Sequence, residues 1–181
     1  MAATPRLTPD QIAQVSGFVA EYIAARREKY ISRATPVSAQ QKAVMNGFFS
    51  PQLLESTRLL VLKGERVGNP GFYPMLKRLG FKSLPDQANM AAITFSDVVV
   101  SHEPFSNGLL FHELVHVEQY RQLGIPRFSE LYVRGFLNGG TYEAIPLEVN
   151  AYTLEGRFER NPAKQFSVAD EVRSWVLENK F

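Results

Sequence analysis

Residues Asn107 to Leu123 read NGLLFHELVHVEQYRQL. Ser106 or Asn107 can cap this stretch at its start, and Gly124-Ile125-Pro126 closes it, so it is predicted to be a helix. Leu109, Leu110, Phe111, Leu114, Val115 and Val117 place apolar side chains on most of its circumference. A helix apolar on most sides is a central, buried helix. Yet His112, Glu113 and His116 lie inside it, and the chain has only 3 histidines. Two imidazoles and a carboxylate are costly in apolar surroundings without a partner.

The partner that fits is a metal ion. His112-Glu113-Leu114-Val115-His116 follows the H-E-x-x-H pattern. Residues i and i+4 stand one above the other on a helix face, so both imidazoles can bind one zinc ion at ~2.0–2.1 Å. Glu113 lies about 100° round the helix. There it is poorly placed as a ligand and well placed as a general base toward a water at the metal. The expected chemistry is metal-assisted hydrolysis with one zinc per chain, the ion lowering the pKa of a water and polarising a carbonyl.

A catalytic zinc takes three protein ligands and keeps one position open. Positions 119 and 122 are both Gln, so the extension H-E-x-x-H-x-x-G-x-x-H is absent, and no His follows His116. The third ligand is therefore a carboxylate. Glu118 shares the motif helix and cannot fold back on the ion. Glu148 on a later helix is preferred, because Ala151 at i+3 lets two helices approach closely. Glu155 and Glu143 remain as alternatives. Two further groups are candidates for steadying an oxyanion: His102, ten residues before the motif, and Tyr152, four residues after Glu148 and on the same face. Tyr120, Tyr132 and Tyr142 are weaker candidates for that role.

Working outward, Ala91 to Ser101 (AAITFSDVVVS) reads as a strand or hairpin interrupted at Ser96-Asp97. As an exposed edge it could bind an extended peptide. Arg58 to Leu62 reads as a strand, Gly64 to Pro74 as a loop and Pro74 to Leu79 as a short helix. On the N-terminal side, Thr8-Pro9-Asp10-Gln11 opens a helix to about Ile31, and a second runs from Ser38 to Asn46-Gly47. On the C-terminal side, helices are expected from Ser129 to Leu137, from Pro146 to Arg160 and from Ser167 to about Asn179, with a Gly-rich break at Asn138-Gly139-Gly140. The fold class is α+β: mainly helical, with a small sheet beside the central helix. A single domain over 1-181 is expected, with an N-terminal helical part at about 8-60 and a metal-binding part at about 88-181.

Composition narrows the function classes. With 181 residues the chain can bury a core without staples. It has no Cys, which removes disulfides, thiolate zinc sites and a Cys nucleophile. A net charge of +2 without a dense basic run argues against a nucleic-acid partner. No run approaches the roughly 20 apolar residues of a membrane span, and Met1 to Asp10 lacks the apolar core of a secretory signal. A cytoplasmic location is the expectation, with export by a specialised system as the other route.

Three stretches together resemble the gluzincins, zinc peptidases with H-E-x-x-H on one helix and a Glu ligand on a later one: LLFHELVHVEQYRQLG (109–124), FSELYVRGF (128–136) and YEAIPLEVNAYTLEGR (142–157). The chain is especially similar to small bacterial domains of uncharacterised function with a HELxHVxQ core, several of which accompany contractile injection systems or toxins. The thermolysin-like N-E-x-x-S-D form of the Glu helix is absent. The resemblance implies a zincin-like fold, His112, His116 and Glu148 as ligands, Glu113 as base, and a peptide or protein as substrate. The expected function is a zinc metallopeptidase. A metal-binding interaction or assembly module without proteolysis is the alternative, and hydrolysis of a non-peptide amide is a third.

Overall fold

The computed structural model describes residues 5–181, so the first four residues of the N-terminal stretch lie outside it. Helix α1 spans Pro9–Ile31. Thr8 accepts from the Gln11 amide while the Gln11 side chain accepts from the Thr8 amide, so two otherwise orphaned N–H groups are satisfied. The same device, Ser38 with Gln41, starts α2 at Ala39–Met45. Helix α3, Pro51–Ser56, was not expected from the sequence. Its six residues are too few to show a helical period, and Ser50 followed by Pro51 is the only local sign.

Four short strands form one sheet: β1 Thr35–Pro36, β2 Arg58–Val61, β3 Ala92–Phe95 and β4 Val98–Ser101. Their order is β1-β2-β4-β3. Strands β3 and β4 form a hairpin, one of the two readings the sequence allowed, with Phe95 opposite Val98 and Ser96-Asp97 as the turn. Ser96 takes a left-handed φ of 64° there. Arg27 of α1 clamps that turn through two bonds to the Asp97 carboxylate. Strand β4 is parallel to β2 and buried along its whole length, as its Val-Val-Val run suggests. β3 is left as an edge strand. Between β2 and β3 lies a long excursion that carries helix α4, Tyr73–Arg78, and a 3-10 turn at Gln87–Asn89.

Helix α5 spans Asn107–Gly139 and is broken at Gly124 (φ 72°, ψ 161°). The sequence-based boundary needs correction here. The helix resumes at once instead of at Ser129, because Pro126 falls in a first helical turn, where its missing N–H costs nothing. Ser129 is buried mid-helix and bonds back to the Ile125 carbonyl at 2.8 Å. Gly140 ends α5 in a left-handed conformation. The chain then turns back tightly. A Cβ on Gly135 would stand 2.6 Å from Pro146, and one on Gly139 would stand 2.6 Å from Ala144. These two glycines, one turn apart, let the return segment lie against α5 and deliver α6, Pro146–Arg160, to its flank. Helix α7, Val168–Leu177, follows.

Two apolar clusters pack along α5. One holds Phe48, Phe49, Phe111, Phe158 and Phe166. The other joins α1, the sheet and the second half of α5 through Tyr30, Phe95, Tyr120, Phe128 and Phe136. Leu110, Phe111, Leu114, Val115 and Val117 all fall in the first cluster, which accounts for the apolar character of the motif stretch. The chain is thus an α+β protein, mainly helical with one small sheet. No helix of the described residues is long and apolar enough to cross a membrane.

Candidate metal centre

His112 and His116 stand on successive turns of α5, and Glu148 enters from the first turn of α6. The two Nε2 atoms are 3.1 Å apart. Each lies 3.4 Å from Glu148 Oε2. Four ligands set tetrahedrally at ~2.0–2.1 Å from a zinc ion stand ~3.3 Å from one another. The three side chains therefore already occupy three corners of such a site.

The hydrogen bonds at the far side of each ring fix what the three atoms are. His112 Nδ1 faces Glu155 Oε2 at 2.9 Å, and a carboxylate only accepts, so Nδ1 carries the proton. His116 Nδ1 faces Gln119 Oε1 at 2.8 Å. The Gln119 amide is oriented by its own bonds, since its Nε2 donates to the Leu147 carbonyl and to Asn150 Oδ1, both at 2.9 Å. His116 Nδ1 is thus also the donor. Both Nε2 atoms are left as bare acceptors pointing at each other and at a third acceptor, Glu148 Oε2, which is buried without any hydrogen-bond partner. Three lone pairs converge where only a cation or a proton can satisfy them. The group is the one cluster among the described residues with this geometry, and a metal ion fits it.

Electrostatics agree. Burial works against a charged His112, yet the Glu148 and Glu155 carboxylates beside its ring and the nearby Glu113 charge raise it to about 10. Burial likewise opposes charge on His116, and the Glu148 carboxylate overcomes it and raises the group. Burial would raise Glu148, but the two imidazoles hold it well below the usual carboxylate range. Without a metal ion, the cluster balances its charge by keeping a proton.

Glu113 is buried beside this cluster. Thr94 on edge strand β3 donates to its Oε2 at 2.7 Å and to its main-chain carbonyl at 3.2 Å. Those bonds join the sheet edge to the motif helix and hold the carboxylate in place. Glu113, His116 and Glu148 line one end of a cavity of about 120 Å³. The four site residues are only 3–6% exposed.

The remaining candidates fall in different places. Glu155 is two turns beyond Glu148 on the same face of α6 and reaches the opposite nitrogen of His112, so it orients that ring and is not a ligand. Glu143 is exposed and outside the cluster. His102 is not brought to the site: its Nε2 accepts from the Val67 amide at 3.0 Å and its Nδ1 bonds the Met90 carbonyl at 2.6 Å. Both ring nitrogens are spent on tying two loops together, which leaves none for an oxyanion and corrects that expectation. Tyr152 is 49% exposed and packs its ring on His112 at 4.5 Å. It does not line the cavity, so its expected aim into the cleft also needs correction. Tyr142 does line it, and burial followed by the Glu148 charge keeps its phenol well above its ordinary pKa and hence protonated.

Gln119 and Thr94 were missed by sequence reasoning. Gln119 had a usable sign, standing one turn beyond His116 on the same face. Thr94 had none, because only strand pairing brings it to Glu113. In comparisons with known proteins, no family model, curated protein or solved structure matches this chain.

Proposed function

We propose that this chain is a zinc-dependent hydrolase of peptide bonds with a zincin-like arrangement of the gluzincin type. The observation that carries this reading is the meeting of His112 Nε2, His116 Nε2 and Glu148 Oε2 at tetrahedral spacing. His112, His116 and Glu148 would hold the ion, while Glu155 and Gln119 keep the imidazoles in the tautomer that binds it. When bound, zinc supplies Lewis acidity and lowers the pKa of a water to roughly 7. Glu113, fixed by Thr94, accepts a proton from the attacking water and returns it to the leaving nitrogen. Tyr142, a protonated phenol at the cavity wall, is a candidate to donate toward a developing oxyanion. A structural zinc site closes with four protein ligands. Here only three converge, and Glu113 and a cavity border the cluster, which favours catalysis over a staple.

One observation favours the second reading, a metal-holding module without proteolysis. The site residues are almost fully buried, and a cavity of about 120 Å³ admits a side chain but not a folded protein surface. Glu113→Gln separates the two. About one zinc per chain in both wild type and variant, with cleavage of an unfolded substrate lost in the variant, is the result expected for a hydrolase. Zinc binding without cleavage in the wild type would move the assignment to the binding module.

A further inference from the structure

The cavity beside the candidate metal centre has a composition that the hydrolytic chemistry does not require. Its walls come from α1, from the excursion between β2 and β3, from β3 and from the second half of α5. Among the described residues, no Lys, Arg or Asp lines it. Its only carboxylates and its only imidazole, Glu113, Glu148 and His116, belong to the metal centre. Beyond them the surface is Phe, Tyr, Leu, Val, Ile and Met, with a few neutral polar groups. The Tyr22 hydroxyl is already engaged with the Gly68 carbonyl at 2.8 Å and with Gln87 Oε1 at 2.6 Å. Tyr120 faces the Thr94 carbonyl. Tyr120, Tyr132 and Tyr142 are all raised well above the ordinary phenol range, by burial first and the Glu148 charge second, so they remain neutral.

Such walls have consequences for what can enter. A carboxylate or phosphate would lose its hydration and find no cation beyond the metal centre, and a buried unpaired charge is strongly disfavoured. An apolar group gains by leaving water. Size sets a second limit, since an apolar cavity of about 150 Å³ accepts benzene. The present one, about 120 Å³, suits a single aromatic ring or a branched aliphatic chain.

Resting on the hydrolase reading above, we propose that this cavity is the specificity pocket of the site and takes one large uncharged side chain, of phenylalanine or leucine type, from the residue next to the scissile amide. Free terminal carboxylates and phosphorylated residues are excluded from it for want of a cation, and lysine or arginine side chains are disfavoured because its only carboxylates, Glu113 and Glu148, are engaged at the metal centre. Val19, on α1 and away from the metal ligands, lines the pocket and is only partly buried, so Val19→Trp would fill it while leaving the centre intact.

The test uses blocked single-residue amides as probes, N-acetylated and carboxamidated, of Phe, Leu, Gly, Lys and Asp. Their binding to the metal-free and zinc-loaded protein is titrated by NMR, with zinc stoichiometry measured separately. The Phe and Leu probes are expected to bind about tenfold or more tightly than the Gly, Lys and Asp probes in both forms. Val19→Trp is expected to abolish that preference while keeping zinc. Equal binding of all five probes, or preference for a charged one, overturns the proposal on wild-type protein alone, even if the variant fails to fold. A folded Val19→Trp protein that keeps the preference overturns it as well. A protein that selects Phe and Leu but takes up no zinc keeps the pocket and sinks only the hydrolase reading.

Discussion

On one side of α5, Phe111 stacks on Phe158 at 4.5 Å and is surrounded by Phe48, Phe49 and Phe166. One residue further along, His112 Nε2 meets two more acceptors, His116 Nε2 and Glu148 Oε2, with no donor among them. The first side is closed by like packing against like, which contributes to stability with or without a ligand. The second is held in shape by hydrogen bonds at its periphery, from Glu155, Gln119 and Thr94, and is left electrostatically incomplete at its centre. The difference teaches that the helix is anchored by its phenylalanine side so that its histidine side can stay poised. A site that kept its geometry only when loaded would need no such anchor.

The largest expected effect breaks the anchor. Phe111→Ala should lose about 3–5 kcal/mol of stability, read from denaturant unfolding of the metal-free protein. A loss under about 1 kcal/mol would mean that the aromatic side does not carry the helix. Next comes Glu113→Gln, for which a fall of roughly 10²–10⁴-fold in turnover is expected with zinc stoichiometry unchanged. An active Glu113→Gln protein would remove Glu113 from the chemistry.

Metal affinity sharpens the comparison on the poised side. Gln119→Ala frees the His116 ring from its acceptor and should weaken zinc binding about 10–100-fold, measured by competition with a chelating dye. Wild-type affinity in that variant would show that the peripheral hydrogen bonds do not prepare the site. The smallest mutational effect belongs to Tyr152→Phe. Its ring stays on His112 and only an exposed hydroxyl goes, so stability should change by less than about 0.5 kcal/mol and turnover should hold. A large drop in turnover would restore Tyr152 as a participant.

A pH titration separates the two sides without mutation. In the metal-free protein His112 is raised from 6.5 to about 10, so its share of stability is complete below pH 6.5 and is lost as pH rises toward 10. If zinc occupies the proposed site it would take the place of that proton, so the loaded protein should not weaken over the same window, and the stabilisation on adding zinc should grow with pH. Parallel thermal-unfolding curves with and without zinc from pH 6.5 to 10 test this. Curves that keep a constant separation would mean that the cluster holds no such proton.

Much of this was legible from residue order because it depends on neighbours along the chain. Capping boxes at Thr8 and Ser38, the strand hairpin at Ser96-Asp97, the His112/His116 pair and the helix over Pro146 to Arg160 all follow from local spacing. Residue order preferred Glu148 because of Ala151 but kept Glu155 and Glu143 open, since helical register puts Glu148 and Glu155 on one face. The short α3 gave no period, and the restart of α5 after Gly124 turned on one residue's φ, which Gly leaves free.

The amino-acid sequence by itself determined that two imidazoles and a carboxylate share a buried helix, since the α-helical repeat alone puts them there. Tertiary structure decided which carboxylate completes the cluster and which one orients a ring, because Glu148 and Glu155 lie on the same face of α6 and only the docking of α6 on α5 gives them different nitrogens. It also decided that His102 staples loops, that Thr94 holds Glu113, and that a largely apolar cavity borders Glu113, His116 and Glu148. Those outcomes rest on contacts between residues 19 to 43 positions apart or more, and no local pattern in the chain encodes them.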